Sequence, residues 1–249
     1  MVGFVYKTIF FCFCCISFLG TEAQTVLRLK KPLTYYTMAY GVVSTGTGYW
    51  LSSQVKGLSS SQVSAFSINQ LSSFDRSAAH QYSTGADMYS YVSAISTATL
   101  PTLLSLHKNV RAEFYVYNNV YAQAMLSTVG QVLILKSLVK KERPFLYGVD
   151  APMDDRIASG ARFSFPSGHT AIAATACFYG AVTYGLYFPK SKYKPLVWAG
   201  AIVLPLITGY LRYKAGKHFV SDIAAGYAIG AANGIIFPLV FKVGNRRSN

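Results

Sequence analysis

Three clusters in the second half of the chain have the residue types and spacing that phosphoryl transfer needs. Lys136 is followed seven positions later by Arg143-Pro144, a second cluster reads Pro166-Ser167-Gly168-His169, and the third is Arg212, His218 and Asp222 in the spacing R-x5-H-x3-D. A phosphate monoester needs cations against its oxygens. Lys136, Arg143 and Arg212 supply them, and the two guanidinium forks can bind bidentately. Ser167 and the N–H of Gly168 stand just ahead of an apolar, helix-length segment, where free N–H groups and the helix dipole favour an anion. His218 and Asp222 are four apart and so share a face of a helix. The carboxylate is expected to fix the imidazole tautomer, leaving the other ring nitrogen free as nucleophile. His169 is then placed to protonate the leaving alkoxide as general acid. The arrangement requires no metal and no other cofactor.

These clusters act together only if the elements carrying them converge. Six segments carry no charged side chain over about the length of a membrane span, roughly 17–25 residues. They are Thr34–Ser52, Met88–Leu106, Phe114–Leu135, Thr170–Phe188, Pro195–Leu211 and Ile223–Phe241, the last four being the clearest. Lys136 closes the third, His169 opens the fourth, Arg212 closes the fifth and His218 precedes the sixth. Helices that alternate in direction bring all four ends to one face. The fold class expected is all-α, a transmembrane bundle of about five or six spans. Thr34–Ser52 is rich in Gly, Ser and Thr and reads as a span, a re-entrant piece or an interfacial helix. Pro101 is expected to kink the second segment, which neighbouring helices tolerate. Lys56–Asp87 and Lys140–Phe165 are polar loops, the first with short amphipathic turns. No internal repeat and no second folded domain is evident.

Composition agrees. The 249 residues carry 23 Lys+Arg against 9 Asp+Glu, a formal charge of +14, yet only 13% are charged and 52% are hydrophobic. Soluble domains carry about 25% charged residues, so disorder is excluded and an ordinary soluble globule disfavoured. The cations sit in short clusters between charge-free stretches, which suits membrane flanks rather than a nucleic-acid-binding face. At the N-terminus, Lys7, the apolar run Thr8–Gly20 and the small residues at Thr21 and Ala23 read as a signal sequence over 1–23, cleaved before Gln24 or retained as an anchor. Cys12, Cys14 and Cys15 fall within it, leaving Cys177 alone, so no internal disulfide and no cysteine zinc site is expected after cleavage. Residues 24–87 form an N-terminal segment and 88–249 the core.

The pattern K-x6-RP, then PSGH, then R-x5-H-x3-D resembles the type 2 phosphatidic acid phosphatase (PAP2) superfamily. That superfamily includes membrane lipid phosphatases, soluble periplasmic acid phosphatases and vanadium haloperoxidases. The resemblance runs from about Met88 to the C-terminus, with ten fixed residue types in order. It implies a phosphohistidine on His218, Asp222 orienting that ring, His169 as acid, and Lys136, Arg143, Ser167, Gly168 and Arg212 holding phosphate. The family pattern has Ser immediately before the third-motif Arg; this chain has Leu211, so a hydroxyl contact is expected to be missing. The segments Phe74-Asp75-Arg76 and Lys214–Phe219 are similar to bacterial membrane members. The implied activity is release of phosphate from a phosphorylated lipid: lipid A, undecaprenyl pyrophosphate, phosphatidylglycerophosphate or phosphatidic acid. A soluble periplasmic acid phosphatase is the alternative, a haloperoxidase a distant third, and an anion channel or transporter the non-enzymatic one.

Other residues read as structural. A single His at a helix end is more often a satisfied polar group than a catalyst, and His80 and His107 lack motif partners. Asp154-Asp155 reads as a solvated acidic pair, Lys140-Lys141 as a membrane flank or substrate rim, Cys177 as core, and the 19 tyrosines as interfacial anchors in part. The connections away from the clusters, with the tail, hold Lys108, Arg111, Lys190, Lys192, Lys194, Lys242, Arg246 and Arg247 against Glu113 alone. By the positive-inside rule that face is cytoplasmic. The expected location is therefore a bacterial inner membrane with the site facing the periplasm. A cleaved signal leaves Gln24 outside, and an uncleaved one has the same consequence, so Thr34–Ser52 is expected to lie along the interface rather than to be a simple full span.

Overall fold

Each charge-free segment forms one long helix: α1 Lys31–Ser53, α2 Thr84–Leu104, α3 Phe114–Val139, α4 Gly168–Tyr187, α5 Lys194–Lys214 and α6 Val220–Phe241. The computed structural model describes residues 25–244. The expected signal segment with its three cysteines, and Arg246 and Arg247, lie outside the described residues. Local chemistry sets the helix ends. Proline stands in the first turn of α1 and of α5, where a missing N–H costs nothing. Ser83 caps α2 through Ala86 N, and Asp222 reaches back to Phe219 N at the start of α6. The polar loops hold only short turns of helix, among them Ser60–Ser64, Ser73–Arg76 and Met153–Ile157.

Helix α4 is the centre. Thirteen of its twenty residues are buried, and it packs against α2, α3, α5 and α6. On α6, Gly226, Gly230 and Gly234 face the carbonyl oxygens of Ser167, Ala171 and Thr175, and a Cβ at any of the three would collide with them. Small residues at this spacing let two helix backbones approach closely. The same approach brings Ser167 N to within 2.9 Å of the Asp222 carbonyl, so the packing of α4 on α6 registers the second cluster against the third.

The stretch Phe114–Leu146, α5 and α6 are long and apolar enough to cross a membrane. Thr170–Phe188, read from sequence as one of the four clearest spans, is not among them; its helix is the enclosed one and is built largely from alanine, glycine and threonine. Elsewhere apolar side chains point outward, including Tyr36, Trp50, Val92, Leu196 and Ile202, a distribution that suits lipid rather than water.

Helix α1, the segment that reads as a span, a re-entrant piece or an interfacial helix, is one continuous 23-residue helix lying along α3. Thr37 bonds Gln123, Thr45 donates to the Leu126 carbonyl at 3.1 Å, and Ser137 donates to the Gly48 carbonyl at 3.4 Å. These pairings advance together along both chains, so the two helices are parallel. Residues 25–30 therefore begin on the face opposite the three clusters. They are fastened there: Glu113, at the start of α3, accepts from Val26 N, Leu27 N and the Tyr187 hydroxyl at 2.6, 3.0 and 2.6 Å. Leu27 also pairs with Lys242 in an antiparallel bridge.

Candidate active site

The three clusters meet at one end of the bundle, as alternation of α3, α4, α5 and α6 requires. Lys136 is in the last turn of α3, and its ammonium donates to the Phe163 carbonyl at 2.6 Å. Arg143 lies in the loop beyond, its N–H donating to the Ala161 carbonyl at 2.8 Å. Ser167 stands immediately before α4 and is fully buried, its hydroxyl 2.8 Å from Thr170 Oγ1 rather than on a backbone N–H. Arg212, in the last turn of α5, is buried. His218 occupies the short connection to α6, made possible by Gly216 at φ +68°, in the left-handed region that favours glycine.

The imidazole of His218 is 1% exposed. Its Nδ1 lies 2.6 Å from the Ser164 carbonyl oxygen. A carbonyl oxygen can only accept, so Nδ1 carries the hydrogen and Nε2 presents a lone pair. This corrects one sequence expectation: Asp222 Oδ2 is 3.8 Å from Nδ1, too far for a hydrogen bond. Asp222 acts at one remove. Its Oδ2 accepts from the Ser164 hydroxyl at 2.5 Å and from Phe219 N at 2.9 Å, and its Oδ1 from Lys141 at 2.8 Å. Burial holds the His218 pKa well below the usual 6.5, and the positive charges of Lys136, Arg212 and Arg143, with His169, push it the same way. The ring therefore stays neutral at physiological pH.

Arg212 is held from α2. Its Nη1 contacts Asp87 and lies 3.1 Å from Ser90 Oγ. Ser90 thus gives this guanidinium a hydroxyl from another helix, where Leu211 offers none. Tyr91 stands edge-on to His169, with ring centroids 4.3 Å apart, and its own ring lies 5.8 Å from the Arg212 guanidinium carbon. The Nε atoms of Arg143 and Arg212 are buried with no hydrogen-bond partner among the described residues. Arg156 and Arg162 also have an unpartnered Nε, but Arg156 is tied to the Leu146 carbonyl and Arg162 lies beside Glu142. A buried guanidinium N–H without an acceptor is costly, and a bound anion is the kind of acceptor each lacks.

All eight residues singled out from sequence gather here: Lys136, Arg143, Ser167, Gly168, His169, Arg212, His218 and Asp222. Several neighbours were not legible. In the sequence Asp87 marks only the boundary of a charge-free segment, and Ser90 and Tyr91 its interior. Lys141, which reads as a membrane flank or substrate rim, bonds Asp222, and Ser164, two residues before the PSGH run, carries no sequence signal. Asp155 is not merely solvated: it accepts from the Tyr82 hydroxyl at 3.0 Å and lies 3.5 Å from Lys217. His107 caps the short helix Lys108–Arg111 through Asn109 N. Cys177 is buried, as expected of a core residue.

Comparison with known proteins adds two findings. The profile of the PAP2 superfamily matches residues 119–246, which contain all three clusters. The phosphatidylglycerophosphatase B of Bacillus subtilis (strain 168) is 35% identical over 100 residues, covering 39% of this chain and 44% of that protein. The match thus spans less than half the length of this curated relative. No solved structure matches significantly.

Proposed function

The chain belongs to the PAP2 superfamily, and from that premise we propose that it is a membrane-embedded phosphatase that removes phosphate from a phosphorylated lipid without a metal ion. The observation that carries this reading is the pairing of a neutral imidazole with buried, unpartnered guanidinium N–H groups. Nε2 of His218 is available to attack phosphorus, while Arg143 and Arg212, with Lys136, Ser167 and Gly168 N, take up the charge of the phosphoryl oxygens.

In the first step the His218 Nε2 lone pair forms a bond to phosphorus as the ester P–O bond breaks. His169, carried into this step as an imidazolium beside the phosphate dianion, gives its proton to the leaving alkoxide. In the second step water attacks phosphorus, His169 takes a proton from it, and the P–N bond breaks to release inorganic phosphate and neutral His218. Through both steps the Ser164 carbonyl keeps the hydrogen on Nδ1, so Nε2 remains the nucleophile. Asp222 supports the imidazolium-like charge on the phosphorylated ring through space and through Ser164.

The substrate proposed first is phosphatidylglycerophosphate, because the Bacillus relative is a phosphatidylglycerophosphatase. Phosphatidic acid, undecaprenyl pyrophosphate and lipid A are the other members of the class. Exposed apolar side chains on α1, α2 and α5 favour a lipid enzyme over a soluble acid phosphatase. In this reading the basic face bearing Lys108, Arg111, Lys190, Lys192, Lys194 and Lys242 is cytoplasmic and the site is exterior. Residues 25–30 then lie on the cytoplasmic side, whereas a signal cleaved before Gln24, or one retained with Lys7 inside, would leave Gln24 outside.

The test is phosphate release from these four lipids and a soluble ester by purified wild type and His218→Ala, in detergent with a chelator. Release from at least one lipid by wild type and none by the variant supports the proposal. Equal release by both, or release only from the soluble ester, refutes it.

A further inference from the structure

Lys141 lies outside the three clusters, yet both ends of the residue enter their network. Its backbone carbonyl accepts from Ser164 N at 2.9 Å, and its ammonium donates to Asp222 Oδ1 at 2.8 Å. Ser164 and Asp222 are the two groups that govern the His218 ring: one accepts from Nδ1, and the other holds Ser164 by its hydroxyl. A single residue therefore anchors both. Asp222 is 0% exposed, and Lys141 is the partner of its Oδ1. Lys141 is itself framed by Asp75 Oδ2 at 3.4 Å and Ser221 Oγ at 3.0 Å, and lies 4.3 Å from the Phe219 ring centroid. Asp75 belongs to the short helix Ser73–Arg76 in the loop between α1 and α2, and also accepts from the Ser221 hydroxyl at 2.8 Å. That loop is thereby joined to the first turn of α6.

We propose that Lys141 is a positioning residue for His218, holding Asp222 and Ser164 in place so that the imidazole keeps one tautomer. The proposal rests on His218 being the nucleophile. A carboxylate taken wholly out of water keeps its charge only with a partner beside it. Lys136 and Arg143 reach Asp222 only through space, and it bonds neither. His218 lies 3.8 Å away and is neutral. Asp75 faces Lys141 and shares its charge with Asp222. Without the ammonium, Oδ1 of Asp222 loses its partner and the buried carboxylate is no longer fixed. Its Oδ2 then no longer holds Ser164 Oγ and Phe219 N in place, and the Ser164 carbonyl is released from the geometry that orients Nδ1.

The test compares wild type, Lys141→Met, Lys141→Gln, Lys141→Arg and His218→Ala in detergent, with kcat and KM on the preferred lipid as separate readouts and thermal unfolding as control. Lys141→Met and Lys141→Gln should lower kcat at neutral pH about tenfold with KM little changed, and Lys141→Arg should restore most of the wild-type kcat. If Lys141→Met does not fold, Lys141→Gln decides, since it too removes the charge. A folded Lys141→Gln with the wild-type kcat overturns the proposal. An active His218→Ala would instead overturn the reading on which it rests.

Discussion

The Ser164 carbonyl oxygen lies 2.6 Å from His218 Nδ1, whereas the Asp222 carboxylate lies 3.8 Å from it. The backbone therefore sets the tautomer of the ring, and the acid acts by holding the residue that provides that backbone. Side-chain substitutions should then separate two effects. Ser164→Ala removes the hydroxyl bond to Asp222 but keeps the carbonyl, and is expected to lower kcat about fivefold to tenfold. Asp222→Ala removes the acceptor for three donors and a buried charge at once, and should cost 10²-fold or more, on the scale of hydrogen bonds to charged groups. Steady-state kinetics on both variants measures the ordering; a larger loss in Ser164→Ala would contradict it.

The pH dependence follows from the burial of His218. Its pKa is displaced well below 6.5 by desolvation and by the neighbouring cations, so the neutral, attacking form persists into mildly acidic solution. The acidic limb of kcat/KM, which reports the free enzyme, should fall below pH 6.5. The same displacement bears on stability. The unfolded chain binds a proton near pH 6.5 that the folded ring refuses, so folding stability declines as pH drops below about 6.5 and is fully retained above it. Thermal unfolding between pH 5 and 8 checks the sign.

Arg143 and Arg212 should differ in what replaces them. Both are read as gripping phosphate through a planar fork, so Arg212→Lys should remain at least tenfold impaired despite keeping the charge. Asp87 and Ser90 hold Nη1 of Arg212, leaving its other nitrogens for the anion. Inhibition by inorganic phosphate offers a direct readout: its Ki should rise in Arg143→Ala and Arg212→Lys, and an unchanged Ki would place the phosphate elsewhere.

The glycine stripe of α6 makes a structural prediction. A Cβ at Gly230 would meet the Ala171 carbonyl, so Gly230→Leu should force α4 and α6 apart one turn beyond the Gly226–Ser167 contact and loosen the register of Ser167 against Asp222. Overpacking of this kind costs about 1–3 kcal/mol or more. A lowered Tm together with lost activity is expected, whereas Gly200→Leu, at a site with open space, should leave both near wild type.

Much of this was legible in the sequence, for identifiable reasons. The six helices announce themselves because charge cannot enter long apolar segments, and the three clusters because phosphate chemistry demands cations and imidazole at helix ends. What remained hidden depends on contacts between elements distant in the chain. Asp87 meets Arg212, 125 residues away, and nothing around Asp87 signals it. Lys141 looks like any basic residue after an apolar helix until Asp222, 81 residues on, arrives beside it. The Ser164 contribution is a main-chain carbonyl, which no residue type encodes. The role of α1 was obscured by its Gly, Ser and Thr content, which reads as weak hydrophobicity in isolation and as close packing once α3 lies alongside.

The orientation proposed in this reading can be tested by cysteine labelling, on a background with Cys12, Cys14, Cys15 and Cys177 all replaced by Ala. A membrane-impermeant reagent should modify a probe cysteine at Ser60, in the loop on the site face, in intact cells, and one at Lys190, on the opposite face, only after permeabilisation. The reverse pattern would place the site in the cytoplasm.

The most direct test of the central claim is to trap the covalent intermediate. Wild-type enzyme is mixed with lipid carrying a labelled terminal phosphate, quenched rapidly in alkali, and digested for peptide mapping. The account predicts label that is stable to base, labile to acid and located on His218, absent in His218→Ala, and accumulating in His169→Ala with a substrate whose leaving group needs no protonation. Label on another residue, or turnover with no phosphoenzyme at any quench time in either protein, would contradict it.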